Sequence, residues 1–169
     1  MGVFIYMGNS IVMSQTKQVE AFLEQTVQTI SHYLNETTLT GLLKEQEDGK
    51  RTYNELLLSN LRRLVVYCEE GLEACRVVLN DEPFRKAAAE KILYRIYHSC
   101  ITEFFAPKND VWYEDSRSAY TGRNSIKFRE VPPPSFQALI ASLEGPFQTI
   151  REELEFYETD YRTKMIQSK

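Results

Sequence analysis

The residues best suited to chemistry in this 169-residue chain lie in one stretch, Trp112 to Arg129, which reads WYEDSRSAYTGRNSIKFR. It holds the only tryptophan, two tyrosines and four basic residues, Arg117, Arg123, Lys127 and Arg129; no acid falls between Ser116 and Arg129. Guanidinium groups beside aromatic rings suit phosphate, carboxylate or a stacked base. The same residue types carry much of the binding energy at protein interfaces. Trp112, Tyr113, Arg117, Tyr120, Arg123 and Lys127 therefore form the candidate ligand- or partner-binding set. A structural reading stands beside it. Over residues 107–131, five Lys and Arg meet Asp110, Glu114, Asp115 and Glu130, so the charge is nearly balanced. Trp112, Ile126 and Phe128 would then plug a bundle end while the arginines pair with acids on the last helix. The two readings separate on whether Arg117, Tyr120 and Arg123 converge or scatter.

No other constellation supports a reaction. The two histidines, His32 and His98, form no HExxH or ExxH motif, which argues against zinc and di-iron chemistry. His98 and Cys100 stand two apart on a helix and so face different directions. A lone helical histidine is expected to be a partly buried, hydrogen-bonded residue. No glycine-rich phosphate loop, nucleophile elbow or dinucleotide fingerprint occurs. Glu155 and Glu158 share a helix face and could bind a hard cation, but Glu158 with Arg162 at i+4 reads better as a solvated ion pair. No catalytic residue, metal ligand or cofactor is nominated.

Composition narrows the class further. A net charge of −4 is too mild and of the wrong sign for a surface that grips nucleic acid or anionic lipid. The three cysteines make an odd count without a CxxC pair. Cys68 and Cys75, two helical turns apart, cannot bridge each other. Reduced, buried thiols in a cytoplasmic protein are the expected state. No segment approaches the roughly 18 apolar residues of a membrane span. The opening MGVFIYMGNSIVM has no basic start and matches neither a signal peptide nor a myristoylation site.

The elements that must position the candidate stretch are helical. Residues 1–13 read as an N-terminal arm overhanging the domain, with Met7 and Met13 as alternative starts; residues 14–169 read as one helical-bundle domain. Ser14 is the expected N-cap of a first helix whose Val19, Phe22, Leu23, Val27, Ile30, Tyr33 and Leu34 keep helical spacing. A short turn follows at Leu39–Leu43. From Thr52 to Leu79, Tyr53, Leu57, Leu61, Leu64, Val65, Cys68, Leu72 and Cys75 hold one face over about 42 Å. Leu56, Leu58, Val66, Tyr67, Val77 and Val78 broaden it, so that helix is either central or part of a dimer interface. Gly71 inside it costs about 1 kcal/mol against Ala, which points to a close helix approach. Asp81 is placed as a cap with Pro83 in the first turn of the next helix, which Pro107 ends. The last helix begins after Pro132-Pro133-Pro134 and runs towards Met165, with Gly145-Pro146 making it one bent helix or two nearly continuous ones. The expected fold is all-α: an antiparallel four- to five-helix bundle with one long non-helical connection at about 107–131. Val111-Trp112-Tyr113 and Ile126-Lys127-Phe128 make that connection a small β-hairpin.

The runs CEEGLEACR, FRKAAAEKILYRIYH, FFAPKNDVWYEDSRSAYTGRNSIKF and REELEFYETDYRTKMIQS resemble the YpuI-like family, uncharacterised proteins of Bacillus-type bacteria. The resemblance runs from about Gln15 to the end. It implies a bacterial cytoplasmic protein and carries over no functional residue. The expected function is accordingly a non-enzymatic helical interaction or binding module, with a homo-oligomer or another protein as partner. The alternative is a small-molecule or phosphate-binding protein, or an enzyme, that uses the aromatic and arginine loop 112–129.

Overall fold

The computed structural model describes residues 8–115 and 124–157. Helix α1 spans Asn9–Glu36, α2 Leu39–Lys44, α3 Arg51–Leu79 and α4 Lys86–Ile96. A π-helical turn at Tyr97–Ile101 joins α4 to the short α5, Thr102–Phe105. Strands β1 (Trp112–Glu114) and β2 (Ile126–Phe128) form an antiparallel hairpin, and α6 runs Pro134–Phe156.

The helices pack as an antiparallel bundle. Early α1 meets late α6, where Gln15 donates to Glu153 and accepts from the Tyr157 hydroxyl; late α1 meets early α6, where Tyr33 bonds Ser135 at 2.9 Å. Between them the ring of Phe22 stands edge-on to Phe147 at 4.9 Å, and Phe147 stacks on Phe104 at 4.2 Å. Against α3, α1 also runs antiparallel. Arg76 near the C-terminus of α3 faces Glu20 and Glu24, whereas Leu23 reaches Gly71.

Part of the breadth of apolar surface on α3 is used internally. Leu57, Leu58, Leu61, Leu64, Cys68, Leu72, Cys75 and Val78 are all buried, because α3 packs on α1, α2, α4 and the π-turn. Leu56, Val66 and Val77 stay exposed. Val66 and Val77 stand eleven residues apart, about 16 Å along the axis, with Glu69, Glu70 and Glu73 between them. Such scattered apolar residues form no patch. Gly71 does mark a close approach: a Cβ there would stand 3.1 Å from Leu23 and 3.2 Å from Ile96.

Three details depart from the periodicity. Helix α1 starts at Asn9 rather than after Ser14, because its buried face extends upstream through the fully buried Val12. The Gly8-Asn9-Ser10 interruption lies at the end of that helix and so does not break it. Helix α4 starts at Lys86, beyond Pro83, so Asp81 caps nothing; Phe84 anchors the connection by packing against the core. The π-turn is the third. It adds a residue to the turn, and the helix thereafter buries adjacent pairs, Cys100 with Ile101 and Phe104 with Phe105. Gly145-Pro146 lies inside α6 and leaves it one helix, and Thr149 Oγ1 donates to the Gly145 carbonyl at 3.1 Å. Glu158, Arg162 and Met165 lie outside the described residues. No described helix is long and apolar enough to cross a membrane.

Candidate functional site

Strand alternation sends the side chains of the hairpin to opposite faces. Trp112 pairs with Phe128, Tyr113 with Lys127 and Glu114 with Ile126. Trp112 points inward and is fully buried; its indole N–H donates to the Phe104 carbonyl at 2.7 Å, and its ring lies 5.9 Å from Phe128 and from Phe136. A buried indole needs such an acceptor, and the end of α5 supplies it. Tyr113 and Lys127 face outward. Arg129 covers the Tyr113 ring at 4.1 Å, and Lys127 lines a groove of about 620 Å³ between β2 and α6. Arg117, Tyr120 and Arg123 lie outside the described residues, so their convergence is not part of this geometry.

What is described of the connection is tied down by named pairs. Arg151 of α6 grips Glu114 through two bonds of 2.8 and 2.6 Å and lies over the Phe105 ring at 3.6 Å. Burial pulls its pKa down, but the ion pair with Glu114 outweighs that and the net shift is upward. Glu144 of α6 accepts from both the backbone N–H and the hydroxyl of Ser125, at 3.0 and 2.9 Å. Arg129 pairs with Asp110 and Lys50 with Glu130. The Tyr53 hydroxyl donates to the Val111 carbonyl at 2.6 Å. Asp110 and Asn124 take left-handed backbone, at φ 54° and 53°, which Asp and Asn tolerate better than other side chains with a Cβ. The cross-links from the last helix thus come from both an arginine and a glutamate.

A second place with chemical content opens where α3 faces α4 and the π-turn. Ala74 on α3 is small and opens space beside Ile92, one turn from the tight contact of Gly71 with Ile96. Tyr67, Tyr94, Glu70, Arg95, His98 and Ser99 complete this hollow, whose volume is about 460 Å³. A smaller hollow of about 350 Å³ adjoins it, sharing Tyr67, His98 and Ser99 and adding Thr102, Glu103, Ala106 and Lys108. The π-turn therefore sits at the junction of an apolar half and a polar half. His98 stands against the rings of Tyr94 and Tyr97, 4.6 and 5.6 Å away. Glu103 is 6% exposed and accepts the Lys108 backbone N–H at 2.8 Å. Burial pushes its carboxyl pKa up, against the lowering pull of that hydrogen bond and of Arg63 and Lys108.

Sequence reasoning singled out His98 and Gly71 but not this groove. The signal that could have found it is the Gly71-x-x-Ala74 spacing opposite the chain's second histidine. Among the described residues no cluster of three or more His, Cys, Asp or Glu side chains could hold a metal ion.

No solved structure matches the chain. It is 49% identical over 152 residues to "Uncharacterized protein YpuI" of Bacillus subtilis (strain 168), an alignment covering 90% of this chain and 84% of that protein. A family model described as "Protein of unknown function (DUF3907)" matches residues 16–163, and the chain belongs to that family.

Proposed function

We propose that the chain is a non-enzymatic binding module and that its ligand is a small amphipathic anion held in the groove between α3 and the α4–α5 helix. The observation that carries this reading is the π-turn at the meeting point of the two hollows. Single π-turns are frequent at functional sites, and this one presents His98 and Ser99 to both halves. Ala74 and Ile92 line the apolar side of the groove together with Tyr67 and Tyr94. Lys108 and His98 line the other end, where a polar head would lie, while the Ser99 and Thr102 hydroxyls donate to the Arg95 and Tyr97 carbonyls.

Part of the breadth of α3 that suggested a dimer is used within the chain, and the exposed Leu56, Val66 and Val77 are scattered along it, so the groove is the feature that favours a ligand reading. Anilinonaphthalene sulfonate, an apolar ring system with an anionic head, is the probe that tests it. The intact protein should bind it with enhanced fluorescence and a raised melting temperature. Ala74→Phe, which fills the apolar side, should weaken binding at least tenfold, about 1.4 kcal/mol. Lys108→Glu should weaken it by a smaller factor. Equal binding by the Ala74→Phe protein, verified as folded by circular dichroism, would defeat the assignment to this groove.

A further inference from the structure

All three cysteines are free and fully buried, but their surroundings differ. Cys100 lies in the π-turn. Its Sγ donates to the Tyr67 carbonyl at 3.1 Å, stands 3.6 Å from Ser99 Oγ, and is 3.5 Å from the place a Cβ on Gly71 would occupy. Tyr67 and Gly71 bracket Cys68 on α3: one immediately precedes it, the other follows one turn later. The Cys100 thiol therefore rests on the turn of α3 that carries Cys68, and both thiols are buried where α3 meets the π-turn. Cys75 is two turns further along α3.

We propose that Cys68 and Cys100 are a redox-modification site, forming a reversible intramolecular disulfide when the protein meets a peroxide. The neighbours of the pair supply the route. Tyr67, Gly71, Ile96 and Ser99 all line the groove, so a small oxidant admitted there is separated from Cys100 by little more than Gly71 and Ser99. A bulky thiol reagent is kept out by the same packing. The roles within the pair are unequal. The hydrogen bond from Cys68 draws the Cys100 pKa down against the opposing effect of burial, with Ser99 adding to the lowering. That same bond and burial push Cys68 up. Burial pushes Cys75 up to about 12, which leaves it a poor nucleophile.

The chemistry balances with hydrogen peroxide as the only co-reactant. The Cys100 thiolate attacks one peroxide oxygen, the O–O bond breaks, and the departing hydroxide takes the thiol proton to leave as water. This leaves a sulfenic acid on Cys100. Cys68 sulfur then attacks Cys100 sulfur; the S–O bond breaks, and hydroxide leaves with the Cys68 proton as a second water. Two thiols are oxidised by two electrons and one peroxide is reduced to two waters. The sulfurs must close to about 2.05 Å. A π-turn, whose extra residue interrupts the regular helical ladder, is the part of the helix best able to absorb that movement. The site does not depend on what the groove binds.

The test uses the full chain. Treat it folded with a few equivalents of hydrogen peroxide, quench, unfold it in excess maleimide, and map the peptides by mass spectrometry. The expected result is a Cys68–Cys100 cross-linked peptide within one chain, with Cys75 alkylated and an intact mass lower by two hydrogens before alkylation. Dithiothreitol should restore alkylation at all three positions, and Cys75→Ser should give the same cross-link. Three alkylated cysteines after peroxide, Cys100 carried on to sulfinic or sulfonic acid without a bridge, or a bridge to Cys75 or to another chain would each overturn the proposal.

Discussion

The hairpin at 107–131 and the groove beside the π-turn treat their aromatic and charged residues in opposite ways. In the hairpin the largest ring, Trp112, is withdrawn from solvent and its one polar atom is satisfied by the Phe104 carbonyl. Glu114 is answered by Arg151, Asp110 by Arg129 and Glu130 by Lys50. In the groove, Tyr67 and Tyr94 are only half-buried and stand as walls around a space that small residues leave open. Composition alone would rank the hairpin first, since it concentrates the tryptophan and the arginines. Packing changes the ranking for the described residues: a ring that fills a gap does structural work, while a small residue such as Ala74 that leaves one makes room for something else.

The sharpest way to break this contrast is to remove the plug. Trp112→Ala deletes a fully buried ring at the junction of α5, the hairpin and α6, and large-to-small core changes of this kind cost about 3–5 kcal/mol. Urea denaturation should show a loss in that range. A loss below about 1 kcal/mol, the scale of a surface change, would mean that Trp112 is not the anchor and would return the hairpin to the status of a binding surface. Next in size is Arg151→Met, which keeps apolar contact with Phe105 but leaves Glu114 without its partner. Side chains here are 16% and 20% exposed, between the surface and buried cases, so a cost of about 2 kcal/mol is expected. Glu114→Gln in the same background should recover part of it, since a neutral amide loses less by going unpaired. Additive losses in that double mutant, measured by the same denaturation, would show that the two side chains are not coupled.

Much of the fold was legible because its largest signals are periodic. Helix α3 could be read from Tyr53 to Leu79 since one buried face persists through every turn. The hairpin was visible as two β-prone triplets around a turn, and Gly71 declared a close helix approach by its cost alone. The misreadings have physical causes. Gly8-Asn9-Ser10 resembles a break in sequence, but the buried Val12 extends the phase of α1 to Asn9. The π-turn has no compositional signature; YHSCI would fit an α-helix equally well. Only the adjacent buried pairs Cys100-Ile101 and Phe104-Phe105 betray the shifted register, and they look like ordinary helix breadth until packing is known. For the candidate site, Trp112 and Arg129 have the composition of both a strap and a ligand surface. Local sequence cannot separate these, because the deciding partners, Phe104, Asp110 and Phe136, include residues brought in from other elements.

The smallest expected effect probes the polar end of the groove by pH. The Glu103 carboxyl has its folded pKa raised above the ordinary 4.5, with desolvation the largest cause. Between the unfolded and folded values the native state binds more protons than the unfolded chain, so unfolding free energy falls as pH rises through that window. The destabilisation is complete above the folded pKa and absent below the unfolded one. Glu103→Gln keeps an acceptor for the Lys108 N–H but removes the charge. The variant should therefore lose this part of the pH dependence and gain stability relative to the parent as pH rises above about 4.5, the unperturbed glutamate range. Paired denaturation curves from pH 4 to 8 would show it as two stability profiles that separate with rising pH. Parallel profiles would mean that Glu103 reaches solvent freely, and the polar half of the groove would then be a surface dent with no desolvated carboxyl at its base.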